Sequence, residues 1–331
     1  MNFYLEALQD EHLLLKNVLE TYCTQAKETA AKIRSLLESG AADRILFVGM
    51  GSSLYAAYSV VSRMNNAGVR TEARNCFELL TYANGLVDEK TIFIMISQSG
   101  NTPEGVAAIE KLKARAAMSI VMFNNEDCRM RGMTDMEMPL GIGKETHISN
   151  KTYYAQVAQL NILATAILGG DAAETASQVE KAIAWHADYV ANQQANIQPI
   201  VDFMKDTDMV DLLGDDAQFG AAMQAGLVIR EMTLRNICTH SLSDYNHGWF
   251  EIARPGYMMV IFADTISPND YKMIDFCLKH GGKVMILSPE KVERESERLL
   301  HVRLPEAEKG ILPLYSILPC YFIAGTLAAI C

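Results

Sequence analysis

The chain has 331 residues, half of them hydrophobic, and its 29 lysines and arginines against 40 aspartates and glutamates give a formal net charge of −11. At about 100–200 residues per domain, this length predicts two globular domains that can each bury a core. A sequence pI near 5.2 means that the chain lacks the positive surface that holds a phosphate backbone. Composition therefore argues against a nucleic acid or an anionic membrane as partner.

Cysteine use and the chain ends point to a cytoplasmic protein. Seven cysteines without a Cys-x-x-Cys pair do not indicate a disulfide framework. The N-terminal residues include acids where an export signal needs a basic start and an apolar run. Residues 310–331 are uncharged over 22 residues, the length of a membrane span, but Pro313, Pro319 and the missing basic flanks favour a buried terminal helix.

Short apolar runs bounded by glycine, serine or aspartate predict buried strands. In the first half of the chain they cover residues 45–49, 92–96 and 120–123. In the second half they cover residues 209–213, 258–262 and 284–287, and a weaker pair lies at 136–139 and 302–305. Corresponding runs start 164–166 residues apart, which indicates a duplicated unit.

Helix-like stretches alternate with these strands. They cover residues 53–64, 102–116, 153–168, 218–235, 270–279 and 314–330. Such alternation predicts parallel sheets covered by helices on both faces. We therefore predict an α/β fold with a helical segment at 1–40, a first α/β domain at 41–171, a helical connector at 172–206 and a second α/β domain at 207–331.

The loop after the 92–96 strand has the features of a phosphate site, because ligands of such sheets bind beyond the carboxyl ends of strands. This strand leads into the sequence SQSGNTP at 97–103. Thr102 suits the cap and Pro103 the first position of a helix, whose free N–H groups and partial positive charge attract anions. The loop adds hydroxyls and amides and no carboxylate. The alternative is an ordinary turn with capping hydroxyls.

A second glycine-rich loop follows the 45–49 strand and covers residues 49–53. It lacks the third glycine of a dinucleotide fingerprint, which argues against a nicotinamide cofactor. Its glycines would let the backbone approach a small sugar, although an ordinary turn explains them equally well. In the second half, the residue equivalent to Ser97 is Ala263. It is followed by Asp264, whose carboxylate would repel a phosphate. We therefore expect one phosphate site per chain, in the first domain.

Glu231 and His247 are the candidates for acid and base chemistry. The helix predicted at 218–235 is uncharged over most of its length, and its period places Glu231 on an apolar face with Val228 and Leu234. Partial burial there would raise the pKa of the carboxyl toward the range of a general base. His247 lies in a turn-like stretch, where an imidazole is available for proton transfer. The alternatives are a carboxylate that turns to solvent and a surface histidine.

Other candidates carry less information. His147, Ser149 and Lys151 precede a predicted helix and could close over a ligand, or could form a capped loop. His240 follows Cys238 by two residues, but no Cys, His and Asp grouping has the spacing of a zinc site, so we expect no metal.

Together these motifs resemble those of the sugar isomerase (SIS) domain family, especially its tandem enzymes: the isomerase half of glucosamine-6-phosphate synthase and the fructosamine-6-phosphate deglycases. The resemblance extends over residues 42–330. Residues 97–102 are similar to the family's Ser-x-Ser-Gly-x-Thr phosphate loop, and residues 49–53 to its Gly-x-Gly-Thr/Ser-Ser turn. Residues 149–151 resemble its Ser-Thr-Lys segment, 230–231 its Lys-Glu pair and 246–248 its Lys/Arg-His-Gly segment.

The resemblance implies two tandem SIS domains, each a mainly parallel sheet between two helix layers. Residues 41–171 would bind phosphate and residues 207–331 would supply the acid and base. Glu231 would move a proton between C1 and C2 of an opened sugar, and His247 would assist ring opening, in many relatives across a dimer interface. The binding residues that it implies are Gly51, Ser52, Ser53, Ser97, Gln98, Ser99, Thr102, His147, Ser149 and Lys151.

Some positions depart from the family pattern. Trp249 stands where relatives usually have proline, and Val228 where the amidosugar synthase has a lysine. The sequence also lacks the synthase's glutaminase domain and its C-terminal tail with a further active-site lysine. We therefore do not expect ammonia-dependent synthesis of glucosamine 6-phosphate.

These observations predict an enzyme that acts on a 6-phosphorylated sugar or ketosamine, by deglycation or by aldose–ketose isomerisation, without a metal, nicotinamide or flavin cofactor. The alternative is a non-catalytic regulatory protein that binds a sugar phosphate. The expected partners are a small-molecule sugar phosphate and a second copy of the chain, in a cytoplasmic homodimer. The sugar epimer and the amine do not follow from the sequence.

Overall fold

The computed structural model describes residues 15–145 and 148–328, which divide into a first unit of residues 15–181 and a second unit of residues 182–328. Each unit holds one five-stranded sheet in which all neighbouring strands are parallel. A parallel sheet must be covered on both faces because its strands are apolar on both sides. The expected α/β fold is confirmed.

The first unit has the strand order β2-β1-β3-β4-β5. Its strands are β1 (Arg44–Gly49), β2 (Arg70–Asn75), β3 (Thr91–Ser97), β4 (Met118–Phe123) and β5 (Met136–Pro139). Its helices are α1 (Leu19–Glu38), α2 (Ser52–Asn66), α3 (Cys76–Tyr82), α4 (Pro103–Leu112) and α5 (Lys151–Ile167), and α6 (Ala172–Ala191) begins in it. Helices α1, α2 and α5 pack together, whereas α3 and α4 cover the sheet face of Leu46 and Phe93.

The second unit has the order β10-β9-β8-β6-β7. Its strands are β6 (Met209–Gly214), β7 (Ile237–Ser241), β8 (Tyr257–Phe262), β9 (Lys283–Ser288) and β10 (Leu299–Arg303). Its helices are α7 (Gln193–Met204), α8 (Asp216–Thr233), α9 (Leu242–Tyr245), α10 (Pro268–Lys279) and α11 (Leu312–Ala328). Helix α11 packs on α7 and α8, whereas α9 and α10 cover the sheet face of Leu213 and Met259.

The two sheets repeat one plan in backbone detail. Gly49 pairs with Asn75 at the carboxyl ends of β1 and β2, and Gly214 pairs with Ser241 at the same place in β6 and β7. Each of these strands turns into its helix through a residue with positive φ, which is Gly51 at 51° in the first unit and Asp216 at 54° in the second. Aspartate is one of the few residues other than glycine that adopt a positive φ, so the second unit can form the same turn with Asp216 in place of glycine.

Several boundaries differ from the sequence expectation. Strands β2 and β7 were not predicted, and β10 begins three residues before and ends two residues before the predicted run at 302–305. Helix α8 ends at Thr233 rather than 235, because Leu234 adopts a left-handed conformation. The helical segment expected at 1–40 is described only from residue 15, and the last two residues of the helix expected at 314–330 lie outside the described residues. Within the described ranges, no helix combines the length and apolarity needed to cross a membrane.

The contact between Gly214 and helix α8 leaves no room for a side chain. A Cβ on Gly214 would lie 2.6 Å from the carbonyl oxygen of Gln218, and backbone cannot move aside as a flexible side chain can. We expect Gly214→Ala to lower the free energy of unfolding of the second unit by about 1–3 kcal/mol, the usual cost of overpacking. Calorimetry checks this. Gly85→Ala is the matched control because nothing lies within 4 Å of its Cβ. Equal effects of the two substitutions would contradict the steric argument.

Candidate functional site

A cavity of about 190 Å³ lies in the first unit beyond the carboxyl ends of β1 and β3. In the sheet, β1 and β3 are neighbours. The chain leaves β1 toward β2 on one side and leaves β3 toward β4 on the other side, so the two connections leave a crevice between the ends of β1 and β3. Open α/β sheets bind their ligands in such crevices. The structure brings seven of the predicted binding residues to its wall: Ser52, Ser53, Ser97, Gln98, Ser99, Thr102 and Ser149.

The loop between β3 and α4 is organised by its own hydroxyls. The Ser97 hydroxyl accepts a hydrogen bond from the Gly100 amide at 3.1 Å and lies 3.2 Å from the Thr102 hydroxyl. The Ser99 hydroxyl accepts a hydrogen bond from the Asn101 amide at 3.1 Å. Thr102 occupies the N-cap of α4, with Pro103 first in the helix, but its side chain does not cap any amide. The first turn of α4 therefore keeps donors for a ligand.

Gly100 is required by the shape of this loop. Its φ is +60°, and a Cβ there would lie 2.4 Å from the sulfur of Cys128. Glycine is therefore favoured both by the left-handed backbone and by the close approach of Cys128.

The wall formed by Ser53 is held in place from helix α5. The side-chain amide of Gln156 donates a hydrogen bond to the Ser53 hydroxyl at 3.1 Å, and both residues are buried. Sequence reasoning missed Gln156, because one glutamine in an apolar helix carries no motif. One feature of the sequence could have identified Gln156: it is a polar residue within a helix so apolar that all of its faces are expected to be buried.

The segment before α5 is only partly at the cavity. Ser149 reaches the cavity wall, where its hydroxyl lies 3.0 Å from that of Thr152. Lys151 does not line this cavity, and its ammonium donates to the Lys144 carbonyl. Gly51 likewise forms the turn behind the wall rather than the wall itself. His147 lies outside the described residues.

Glu145 is a second residue that the sequence did not single out. Its carboxylate accepts a hydrogen bond from the Thr152 amide at 2.9 Å, and burial raises the pKa of this carboxyl despite that bond. It lies in an adjoining cavity of about 550 Å³, which shares Gln98 and Ser99 with the first. Typical ligand sites have volumes of about 300–1,000 Å³. The 190 Å³ cavity is smaller than this range, whereas the two adjoining cavities together fall within it.

The 190 Å³ cavity is electrically neutral. None of the described residues that line it carries a charge, and its polar groups are hydroxyls, an amide side chain and backbone. An anion would meet donors without a repelling carboxylate. Cys76 also lies in the wall, but burial raises the pKa of its thiol to about 12, so it is not a nucleophile at neutral pH.

Glu231 lies in the last turn of α8 in the second unit and is exposed, which differs from the expected half-buried position. The reason is the end of the helix at Thr233. Leu234 turns away and is 89% exposed, so the expected apolar face is not completed. Neighbouring atoms still desolvate part of the carboxylate, which raises its pKa above the ordinary value.

His247 is exposed in the second unit and lines a cavity of about 830 Å³ beyond the carboxyl ends of β6 and β8. Glu231 is not among the described residues that line this cavity. The structure thus places the two predicted acid and base residues in one unit without bringing them to one cavity.

This second cavity has the same topological position as the first but different chemistry. Asp264 lies in its wall and forms an ion pair with Lys309 at 2.8 Å. The N-terminus of α10 is already closed by a capping box between Ser267 and Asp270. The carboxylates and the occupied amides make this cavity a poor phosphate site.

Comparisons with known proteins relate the chain to sugar-phosphate enzymes. Residues 41–167 match the family described as SIS domain. The chain is 22% identical over 335 aligned positions to the glutamine--fructose-6-phosphate aminotransferase [isomerizing] of Listeria monocytogenes, covering 98% of this chain and 55% of that protein. The chain thus spans about half the length of the curated relatives it matches.

Solved structures share the fold. The C-terminal domain of glucosamine-fructose-6-phosphate aminotransferase from Francisella tularensis superposes with a TM-score of 0.83 at 16% identity, covering 98% of this chain and 95% of that one. Tagatose-6-phosphate ketose/aldose isomerase from Escherichia coli superposes with a TM-score of 0.74 at 14% identity, covering 98% and 92%.

The burial of Cys76 makes a prediction that is independent of any ligand. At pH 8 its thiol stays protonated and covered, so we expect maleimide to leave Cys76 unmodified in the folded protein and to modify the partly exposed Cys128. Peptide mapping by mass spectrometry measures both, and unfolding in denaturant should make both react. Modification of Cys76 at the rate of Cys128 in the native protein would contradict the burial of Cys76 in the cavity wall.

Proposed function

We propose that this chain, whose residues 41–167 match the SIS domain family, is an enzyme that processes a 6-phosphorylated sugar or ketosamine. The observation that carries the proposal is the neutral cavity between β1 and β3, with serine and threonine hydroxyls at the start of α4. The curated relatives and solved structures named for fructose-6-phosphate and tagatose-6-phosphate chemistry support the same substrate class.

In this proposal the phosphate of the substrate lies against the loop of residues 97–102. Hydroxyls of Ser97, Ser99 and Thr102 and the amides of the first turn of α4 donate hydrogen bonds to it. Ser53, held by Gln156, contacts the sugar, and Gln98 and Ser149 close the sides. Gly51 shapes the turn, and Lys151 is the expected cover over the sugar. The same role is expected for His147, which lies outside the described residues.

We further propose that residues 41–171 and 207–331 are two tandem SIS domains, joined by the helical connector at 172–206. The repeated strand order and the matched turns at Gly51 and Asp216 support a common plan. The second domain supplies the proposed acid and base, Glu231 and His247, and a second copy of the chain is the expected partner in a homodimer. A cytoplasmic location accords with this substrate.

The chemistry requires one base and one ring-opening group. His247 would move a proton between the ring oxygen and the anomeric hydroxyl, which opens the sugar. For a ketosamine, Glu231 would take a proton from C1 and return it to C2, while the amine N–H proton passes to the C2 oxygen. The product is an aldose imine that water splits into aldose phosphate and amine. For isomerisation the same carboxylate would move a proton between C2 and C1 through an enediol. A partly desolvated glutamate suits this role because its raised pKa makes it a stronger base.

The second candidate function is a non-catalytic sensor of a sugar phosphate. The solvent exposure of Glu231 favours this sensor function, because a catalytic carboxylate needs a closed site. A sensor would be stabilised by the ligand but would not convert it.

Glu231→Gln separates the two functions. The protein is incubated with fructosamine 6-phosphates and hexose 6-phosphates, and products are followed by chromatography. If Glu231 is the base, we expect kcat to fall about 10²–10⁴-fold with little change in KM. Glu297→Gln, an exposed acid of the same unit, is the control and should leave the rates unchanged. Turnover by Glu231→Gln at the wild-type rate would remove Glu231 from the mechanism.

The pH profile gives an independent readout. The wild-type acid limb of kcat should lie above the ordinary pKa of glutamate, since the base works only when deprotonated. Ligand-induced stabilisation of the wild-type protein without turnover of any of these substrates would support the sensor instead.

Ser99→Ala tests the phosphate site. Loss of a hydroxyl that donates to a charged phosphate should weaken binding of hexose 6-phosphates about 10-fold or more, because such bonds contribute about 1.5–3 kcal/mol. Binding of the same sugars without phosphate should not change. Calorimetric titration measures both, with Ser39→Ala, an exposed serine at the end of α1, as control. A uniform effect on sugars with and without phosphate would place the phosphate elsewhere.

A further inference from the structure

We propose that Asp211, Cys238 and His240 form a binding site for a divalent transition metal ion of the zinc class in the second unit. The inference is independent of the proposed sugar chemistry. It revises the expectation of no metal, which considered only spacing along the chain.

The sheet brings the three ligand types together from two strands. Asp211 on β6 pairs directly with Cys238 on β7, and His240 lies two residues further along β7. In a parallel pair, partners and residues two apart project from the same face, so all three side chains point toward α9 and α10. One ligand atom from each residue lies within 4.8 Å of the others. A tetrahedral site with Zn–N and Zn–O distances of about 2.1 Å and Zn–S of about 2.3 Å needs only a modest contraction of this group.

The carboxylate of Asp211 is the strongest indication of a cation. Its side chain is buried, with 3% exposed, and its Oδ1 has no hydrogen-bond partner among the described residues. Leaving such an oxygen without a donor is costly, and a bound cation would remove that cost.

The other carboxylate oxygen is already held in place. Asp211 Oδ2 accepts hydrogen bonds from the hydroxyls of Tyr245 and Tyr257, the latter at 3.2 Å. Metal-ligating carboxylates are commonly oriented in this way by donors that do not touch the metal. The two tyrosines would therefore fix the direction in which Oδ1 points.

The surroundings of His240 and Cys238 suit metal binding. Both residues are half-buried, and Cys238 is a free thiol. The His240 ring lies against Trp249 and Tyr245, with ring centroids 4.8 Å and 5.5 Å away, which limits its rotation. A set of one thiolate, one imidazole and one carboxylate selects zinc-like ions over magnesium or calcium, which prefer oxygen ligands. On binding, the thiol of Cys238 would lose its proton to solvent and its sulfur would bond to the metal.

Binding would tie the edge strand β7 to β6. It would also anchor the start of the segment that carries α9, His247 and Trp249. The ion is thus expected to stabilise the second unit even when no sugar is present.

The test measures metal on the full chain. Bound metal is removed from the purified protein with a chelator. The protein is then incubated with Zn²⁺ and dialysed, and its zinc content is measured by elemental mass spectrometry. We expect about one zinc per chain, an increase in melting temperature, and, with Co²⁺ in place of zinc, the absorption of a tetrahedral cobalt thiolate. Cys238→Ser should lower zinc affinity at least 10-fold and abolish that absorption.

Two matched controls make the result decisive. Cys23→Ser changes another half-buried free cysteine, and His280→Asn changes an exposed histidine of the second unit; neither should alter zinc uptake. His240→Asn should weaken binding as Cys238→Ser does. Zinc well below one per chain in the wild-type protein would overturn the proposal. So would zinc and cobalt binding by Cys238→Ser that equals the wild type, because the metal would then lie elsewhere.

Discussion

The position of the candidate site depends on a constraint of connectivity. After β1 the chain crosses to one side of the sheet, and after β3 it crosses to the other, so no connection can fill the space between their carboxyl ends. The same reversal occurs between β6 and β8. Each unit therefore has a crevice before any particular side chain is considered. Loop residues then decide what each crevice can hold.

Loop chemistry separates the two crevices. In the first unit, Ser97 and Ser99 hold the loop with hydroxyls and leave the start of α4 uncapped by side chains. In the second, Asp270 and Ser267 cap the corresponding helix, and Asp264 lies in the cavity wall beside Lys309. Capping amides with the protein's own groups stabilises the helix but removes donors from a ligand. One copy of the repeat thus has the chemistry of an anion site, whereas the other does not.

The sequence predicted the central strands well because β1, β3, β4 and β8 are continuous apolar runs with glycine, serine or asparagine near their ends. It missed β2, whose residues RTEARN lie at the sheet edge with a mostly half-buried pattern, and β7 for the same reason. It identified the loop of residues 97–102 because hydroxyls, glycine and proline together form a local signal. Local signals do not report partners brought in by tertiary structure, which is why Gln156 behind Ser53 and Asp211 beside Cys238 were not found. For Glu231 the sequence left a half-buried and a solvent-exposed carboxylate open, because helical spacing alone does not show that the helix ends in a left-handed turn at Leu234.

Helix α5 has a consequence for how the first crevice selects a ligand. Every residue from Thr152 to Ile167 is buried, and the helix seats three amide side chains, Gln156, Gln159 and Asn161, against Ser53, Gln25 and Ser59. Sliding or rotating the helix would strand several of these amides in an apolar interior at once. The Ser53 side of the crevice is therefore preorganised rather than adaptable. Discrimination among sugars at that wall would arise from shape fixed in advance, while any adjustment to a larger substrate would have to come from the opposite rim.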